Sequence, residues 1–212
     1  MLKEIAIPQR PTRTYLAEDF IVDSWESLKP LFDELLERKL GSVVELQKWI
    51  HDLSEVEAVL SEETAWRYIR MNIDTTNKEY EDAFNFMVTE IDPSAAPYSD
   101  KFNKKLLDSP FCKELDSDKY QIFLRSLRMQ IKLFREESIP LFTTLQQLQQ
   151  KYGAITGSIS IEHEGKTLTL QMANSLLKET DRGLRKTIFE KVNAARLSKA
   201  KDLDTLFTEL VK

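Results

Sequence analysis

Chemistry-bearing residues are scarce in this chain. A single cysteine, Cys112, excludes an intrachain disulfide and points to a reducing, cytoplasmic setting. It follows Phe111, and nothing near it in sequence would lower its pKa, so it reads as a buried thiol rather than a nucleophile. The two histidines, His51 and His163, have no second histidine or cysteine at ligand spacing, so no preformed metal site is expected in this chain. Five glycines in 212 residues are too few for a Gly-rich nucleotide fold and suit long helices. No run approaches the roughly 18 apolar residues of a membrane span, and the amino terminus lacks an apolar core of signal-peptide length. No membrane partner and no export are therefore expected.

Net charge is −5 and the charges are interspersed, which argues against a nucleic-acid partner. One helix does place Arg125, Arg128, Lys132 and Arg135 on one side, which reads as a solvated polar face before it reads as an anion patch. A chain of this length can bury about 70% of its unfolded surface and needs neither disulfide nor metal to fold.

Two catalytic motifs are approached and missed. His163-Glu164 could open a zinc-binding H-E-x-x-H, but Thr167 stands where the second histidine must be. Gly165-Lys166-Thr167 could close a P-loop, but Ser160 replaces its first glycine. Alternation of Ile159, Ile161 and His163, then Leu168 and Leu170, around Glu164-Gly165 predicts a β-hairpin instead, with strands near 155–163 and 166–170. No serine sits in a G-x-S-x-G elbow. No catalytic or metal-binding residue is assigned, and no substrate-contacting residue can be picked out.

What is plentiful is apolar residues three and four apart. The expected fold is mainly α: long antiparallel helices, as a helical hairpin and a helical bundle, with one small β-hairpin near 155–170. Residues 1–20, with Pro8 and Pro11, read as an extended leader, and 21–212 as one helical region. Within it a hairpin of helices spans about 24–71. Ser24 caps its first helix, whose start Pro30 should displace toward Lys29. Gly41 as left-handed cap and Ser42 with Glu45 as capping box mark the join. Val43, Leu46, Ile50, Leu53 and Leu60 form the second stripe.

A helical bundle with the β-hairpin follows over about 77–212. Asp92-Pro93-Ser94 should end one helix, leaving an irregular segment to Pro110 with a short helix near 101–107. Ser117 should cap the next helix, with a kink or split around Pro140 and an end at Gly153. A short helix is expected at 171–178 and a last one from Asp181. Its stripe of Leu203, Leu206, Phe207, Leu210 and Val211 is still periodic at Lys212, so the chain is expected to be the amino-terminal part of a longer protein. Alone it should expose that stripe and self-associate.

Four stretches resemble one family. Ile7-Pro8-Gln9-Arg10-Pro11 looks like its opening tag, and Tyr68-Ile69-Arg70-Met71-Asn72-Ile73-Asp74-Thr75-Thr76, followed by Tyr80, like its helix-ending segment. Leu107-Asp108-Ser109-Pro110-Phe111 with Glu114-Leu115 looks like its connector. Glu164-Gly165-Lys166 through Leu170, then Asp181-Arg182 and Arg185, is similar to its hairpin and following helix start. In order and spacing, the chain resembles the amino-terminal region of the oligoendopeptidase F branch of the thimet-oligopeptidase-like zinc metallopeptidases. It departs at Gly183, where the family favours a helix former, and in lacking H-E-x-x-H and the downstream glutamate ligand.

The resemblance implies a full-length zinc-dependent endopeptidase of short, unstructured peptides, with a helical body split by a deep channel. The Zn2+ belongs to a carboxyl-terminal catalytic domain absent from this chain. These residues would form the opposing wall and carry no catalytic group. The competing expectation is a free-standing helical protein–protein interaction module without enzymatic activity.

Overall fold

The computed structural model describes residues 11–212. The first half of the expected leader and all of the opening tag except Pro11 lie outside the described residues. The chain divides into two compact units. Unit 1 takes the chain up to Arg67 and again Thr89–Ser138, and unit 2 takes Tyr68–Val88 and Ile139–Lys212.

Unit 1 is built on α1 (Trp25–Glu37), most of α2 (Val43–Ile73), α4 (Asp92–Asp108) and α5 (Ser117–Leu133). Ser24 caps α1, its Oγ accepting the Ser27 N–H at 3.2 Å. The helix starts at Trp25 rather than near Lys29, with Pro30 inside it. Pro30 and Glu26 are both exposed, so the Glu26 carbonyl deprived of a partner faces water.

Gly41 does not adopt the left-handed cap; α1 ends at Arg38 in an extended conformation. Ser42 and Glu45 do form a capping box, shifted by one residue. Glu45 N–H donates to Ser42 Oγ at 3.2 Å, while the Glu45 carboxylate accepts from the Gly41 N–H at 2.7 Å. Along α2 the buried face is Leu46, Trp49, Leu53, Val56 and Val59; Leu46 and Leu53 of the expected stripe lie on it, while Val43, Ile50 and Leu60 are only partly buried. Trp49 decides the difference, because the largest apolar surface takes the core position.

The largest departure is at Pro93. The expected stop is instead the first turn of α4, which runs through Pro97 to Asp108. A π turn, Met87–Ile91, precedes it. There the hydrogen-bond ladder is already rearranged, so the N–H that Pro93 lacks costs little. A 3-10 turn, Pro110–Glu114, leads to α5, whose cap is Asp116 rather than Ser117: its carboxylate accepts the Asp118 N–H at 2.9 Å.

An aromatic chain forms the centre of unit 1. Phe32 lies 5.4 Å from Trp25, 5.3 Å from Tyr98 and 5.6 Å from Phe102, and Trp49 lies 6.0 Å from Phe102. The carboxyl end of α1 is closed by side chains from elsewhere. Lys105 Nζ of α4 donates to the carbonyls of Leu35 (2.8 Å), Leu36 (2.8 Å) and Arg38 (2.6 Å), and Trp49 Nε1–H donates to Leu35 O at 2.7 Å. Helix-end carbonyls lack intrahelical donors and carry negative dipole charge, so an ammonium satisfies both needs. Beside it, fully buried Asp52 accepts from Arg38 Nη1 at 2.6 Å and Lys48 Nζ at 2.7 Å.

Unit 2 contains the end of α2, α3 (Lys78–Phe86, capped by Asn77), α6 (Ile139–Gly157), α7 (Leu170–Leu176), α8 (Arg182–Leu197) and α9 (Ala200–Leu210). The helix expected to kink or split near Pro140 is split: α5 ends at Leu133 and α6 begins at Ile139, with a 3-10 turn, Glu136–Ser138, between them. Gly153 does not end α6; the helix runs four residues further, so 155–157 are helical and the first strand is shorter than expected. Gly153 has a negative φ, and glycine at such a position weakens a helix without stopping it.

Strands β1 (Ser160–His163) and β2 (Lys166–Thr169) pair antiparallel, with His163 opposite Lys166. The turn between them holds Glu164 at φ 51° and Gly165 at φ 73°, the left-handed pair of a two-residue hairpin. Ile161, Ala173, Ile188 and Val192 make the small core beneath it. The expected single last helix is broken into α8 and α9 around Ser198-Lys199. Of the terminal stripe, Leu206 is buried, while Phe207 and Val211 are each 65% exposed. The protein is thus mainly helical, with one two-stranded sheet among the described residues.

Candidate functional site

The reactive residues of the sequence do not converge. His51 stands exposed on α2, its Nδ1 3.5 Å from the Glu55 carboxylate. His163 is on β1, with Nε2 3.8 Å from Glu164. Cys112 is buried in the 3-10 turn, where burial pushes its thiol pKa up and nearby Arg128 offsets part of the rise. A raised pKa leaves the thiol protonated and unreactive. Arg125, Arg128 and Lys132 are exposed on α5, and Arg135 Nη1 turns back to donate to the carbonyls of Lys132 (2.9 Å) and Phe134 (2.6 Å). Arg135 therefore serves the end of its own helix. Among the described residues no group of three or more His, Cys, Asp or Glu side chains is placed to hold a metal ion, so these residues do not fit a zinc site.

The geometry does provide a groove inside unit 2. It is a cavity of about 420 Å³ between the last turns of α2, the following turn, α3 and α6. Its apolar side is Met71 and Phe84, both buried, with the Tyr68 ring tilted against Phe84 at 5.5 Å. Its polar side comes from Gln146, Gln149 and Gln150, with Asn72 across from them. Residues at i, i+3 and i+4 share one face, so α6 presents its three glutamines together.

Local sequence explains how these walls form. Asp74 accepts from the Thr76 N–H at 3.0 Å, making an Asx turn after α2. Asn77 then caps α3, its Oδ1 accepting from the N–H groups of Glu79 (3.0 Å) and Tyr80 (3.2 Å). The reversal sets Phe84 of α3 beside Met71 of α2, and Tyr80 and Val88 complete that small core.

The lining combines carboxamide groups with an apolar floor. Carboxamide side chains both donate and accept, matching the alternating groups of a peptide backbone. An apolar floor with a few polar groups is the usual composition of a ligand groove. The charged lining group, Glu81, lies 3.2 Å from Lys78 Nζ. Sequence reasoning missed the groove because glutamines carry no motif; their spacing on α6 was the available signal.

With the fold in view, kinship can be stated. The architecture is that of a helical peptidase amino-terminal region. The chain belongs to the Peptidase M3 N-terminal domain family, whose match covers residues 18–134, more than half of the chain. Solved structures with the same fold include a protein assigned as oligoendopeptidase F from Bacillus anthracis str. Ames (24% identity, TM-score 0.81, covering 94% of this chain and 37% of that one). A second protein assigned as oligoendopeptidase F has 23% identity and a TM-score of 0.82, covering 92% of this chain and 35% of its own. PZ peptidase A, solved with an inhibitor, has 21% identity and a TM-score of 0.82, covering 92% and 35%. The chain thus spans little more than a third of the length of these structures. No curated protein sequence matches it. Among the described residues no helix is long and apolar enough to cross a membrane.

Proposed function

We propose that this chain is the non-catalytic amino-terminal part of a cytoplasmic, zinc-dependent oligoendopeptidase, forming the channel wall opposite the zinc site. The observation that carries the reading is the family match over residues 18–134. The groove of unit 2 supplies the peptide-contacting surface in this reading. Its three α6 glutamines hydrogen-bond an extended peptide backbone, and the Met71–Phe84 floor takes one apolar side chain of the substrate. Holding a peptide in register over a reactive centre converts encounter into an effectively intramolecular step, so such a wall contributes to rate without touching the reacting atoms. In this reading zinc chemistry belongs to a carboxyl-terminal catalytic domain, since the H-E-x-x-H that would hold the metal does not occur in these 212 residues.

The test is a quenched fluorescent peptide of about ten residues, offered to the 212-residue chain and to the same chain joined to an H-E-x-x-H-bearing region, each with and without chelator. Expected is no cleavage by the chain alone and chelator-sensitive cleavage by the longer protein. Chelator-sensitive cleavage by the chain alone would contradict its non-catalytic role. Inactivity of the zinc-loaded longer protein across a diverse peptide library would contradict the peptidase reading.

A further inference from the structure

A second cavity, of about 340 Å³, lies wholly within unit 1, between α2, α4 and α5. Its floor is apolar: Leu53, Phe102, Leu106 and Leu127 are all buried. Each of the three helices contributes one serine to the lining, Ser54, Ser99 and Ser126, where a larger side chain would fill the space. Two of these spend their protons on their own helices. Ser54 Oγ–H donates to Ile50 O at 2.7 Å and Ser99 Oγ–H to Ala95 O at 3.4 Å, which leaves oxygen lone pairs to a ligand. Asn103 likewise spends an N–H, on Gln130 Oε1 at 3.0 Å, and keeps its own carbonyl oxygen. The lining is therefore rich in acceptors.

Its one charge is Glu57. This residue reaches solvent, yet the surrounding protein pushes its carboxyl pKa up, as expected for a group inside a concavity open to water. No cation or hydrogen-bond donor among the described residues offsets that rise. A carboxylate at the mouth of a cavity with an apolar floor, flanked by acceptor oxygens, lacks a positive donor group and has room for an apolar body beside it.

We propose that this cavity binds an ammonium group carried on a small apolar body, with Glu57 as its counter-ion. The group can come from a free amine or from the amino terminus of a peptide that begins with an apolar residue. This site is separate from the unit 2 groove and does not depend on the peptidase reading.

The experiment titrates phenethylamine and Phe-Gly-Gly into the 212-residue protein, followed by NMR. 2-Phenylethanol and N-acetyl-Phe-Gly-Gly serve as uncharged counterparts. Saturable shifts at Leu53, Phe102 and Leu127 are expected, with at least about tenfold weaker binding of the uncharged compound. Binding of phenethylamine identifies a free-amine site, and binding of Phe-Gly-Gly alone identifies a peptide amino terminus. Glu57→Gln should lose the same factor of about ten. It removes no internal contact and leaves the fold intact by circular dichroism. Absence of saturable binding by both amines, equal binding of the uncharged compounds, or unchanged affinity in Glu57→Gln would each overturn the proposal. Ser126→Leu, which fills the mouth, should abolish binding, and retained affinity there would place the ligand elsewhere.

Discussion

The two units reach stability by different means. Unit 1 interlocks aromatic rings around Phe32 and Phe102 and closes a helix end with Lys105, Trp49 and the Arg38–Asp52 pair. Unit 2 has two small, mostly aliphatic cores, around Met71–Phe84 and around Ile161–Ile188, and leaves Phe142, Tyr152, Phe189 and Phe207 more than half exposed. Unit 1 buries Trp49, Phe32 and Phe102 together and leaves Trp66 53% exposed, whereas unit 2 has only Phe84 buried among its rings. The difference lies in the interior: aromatic and hydrogen-bonded in unit 1, smaller and divided in unit 2. The family match, residues 18–134, takes in nearly all of unit 1 and the Tyr68–Val88 part of unit 2, and ends before α6 begins.

The largest test of this contrast is Trp49→Ala. Trp49 is fully buried and hydrogen-bonded, so its truncation should cost about 4 kcal/mol in denaturant unfolding. Phe207→Ser, at a ring 65% exposed, should change stability by no more than about 0.5 kcal/mol. Similar losses in both would erase the distinction. Native-state hydrogen exchange adds resolution: if Trp49→Ala lowers protection at Ile161 and Ile188 as much as at Leu46, the two units unfold as one.

Next in size is Asp52→Ala. It leaves Arg38, only 22% exposed, beside a vacated carboxylate site and unties Lys48. Arg38 keeps its two bonds to Glu34 (2.8 and 2.6 Å), so the loss should fall short of that for a fully stranded charge, at about 2 kcal/mol. Asp52→Leu should recover part of that by packing. A loss below about 0.5 kcal/mol would mean that the pair behaves as an exposed surface pair.

A smaller effect concerns how the segment before α1 is tied to α2. Burial pushes the Glu55 carboxyl up, but donors pull it further down, to about 2: the N–H groups of Tyr15 (2.8 Å) and Thr14 (2.7 Å), the Thr14 hydroxyl (2.8 Å) and the Leu16 N–H (3.2 Å). A carboxylate with a depressed pKa stabilises the folded form above its unfolded value, near 4.5, and loses that contribution as pH falls toward 2. Protection factors of the Tyr15 and Leu16 amides should fall by up to about tenfold per pH unit in that window. In Glu55→Gln they should start lower and change little with pH. Flat protection in the native protein would show that the clamp is not formed.

What could be read in advance was local. Ser24, the Ser42–Glu45 box and the Glu164-Gly165 turn act on their immediate neighbours, so they are visible in a short window of sequence. The helical stripes and the single hairpin follow from the same short-range periodicity. Pro93 and Gly153 misled because each is a breaker whose effect depends on what surrounds it: a π turn before Pro93, and an ordinary helical φ at Gly153. Lys105 at the end of α1 could not be read at all, because its partners lie some 70 residues away in sequence. The unit 2 groove stayed hidden for the same reason, since α6 meets α2 and α3 only in the folded chain.

The smallest expected effect probes the hairpin of unit 2. A two-residue turn with positive φ at both positions is paid for mainly at Glu164, whose Cβ is strained at φ 51°, while Gly165 takes φ 73° freely. Asparagine tolerates the left-handed region better than glutamate, and Asn-Gly is the preferred pair for this turn. Glu164→Asn loses the 3.8 Å pairing with His163, but Glu164 is 83% exposed, so that pair contributes little. The net should be a gain of about 0.5 kcal/mol, read as slower amide exchange at Ile161 and Leu168. Gly165→Ala should move the same amides the other way by about 1 kcal/mol, through its φ alone, because no atom lies within 4 Å of the added Cβ. Faster exchange in Glu164→Asn would mean that the glutamate supports the hairpin through contacts rather than merely enduring its turn.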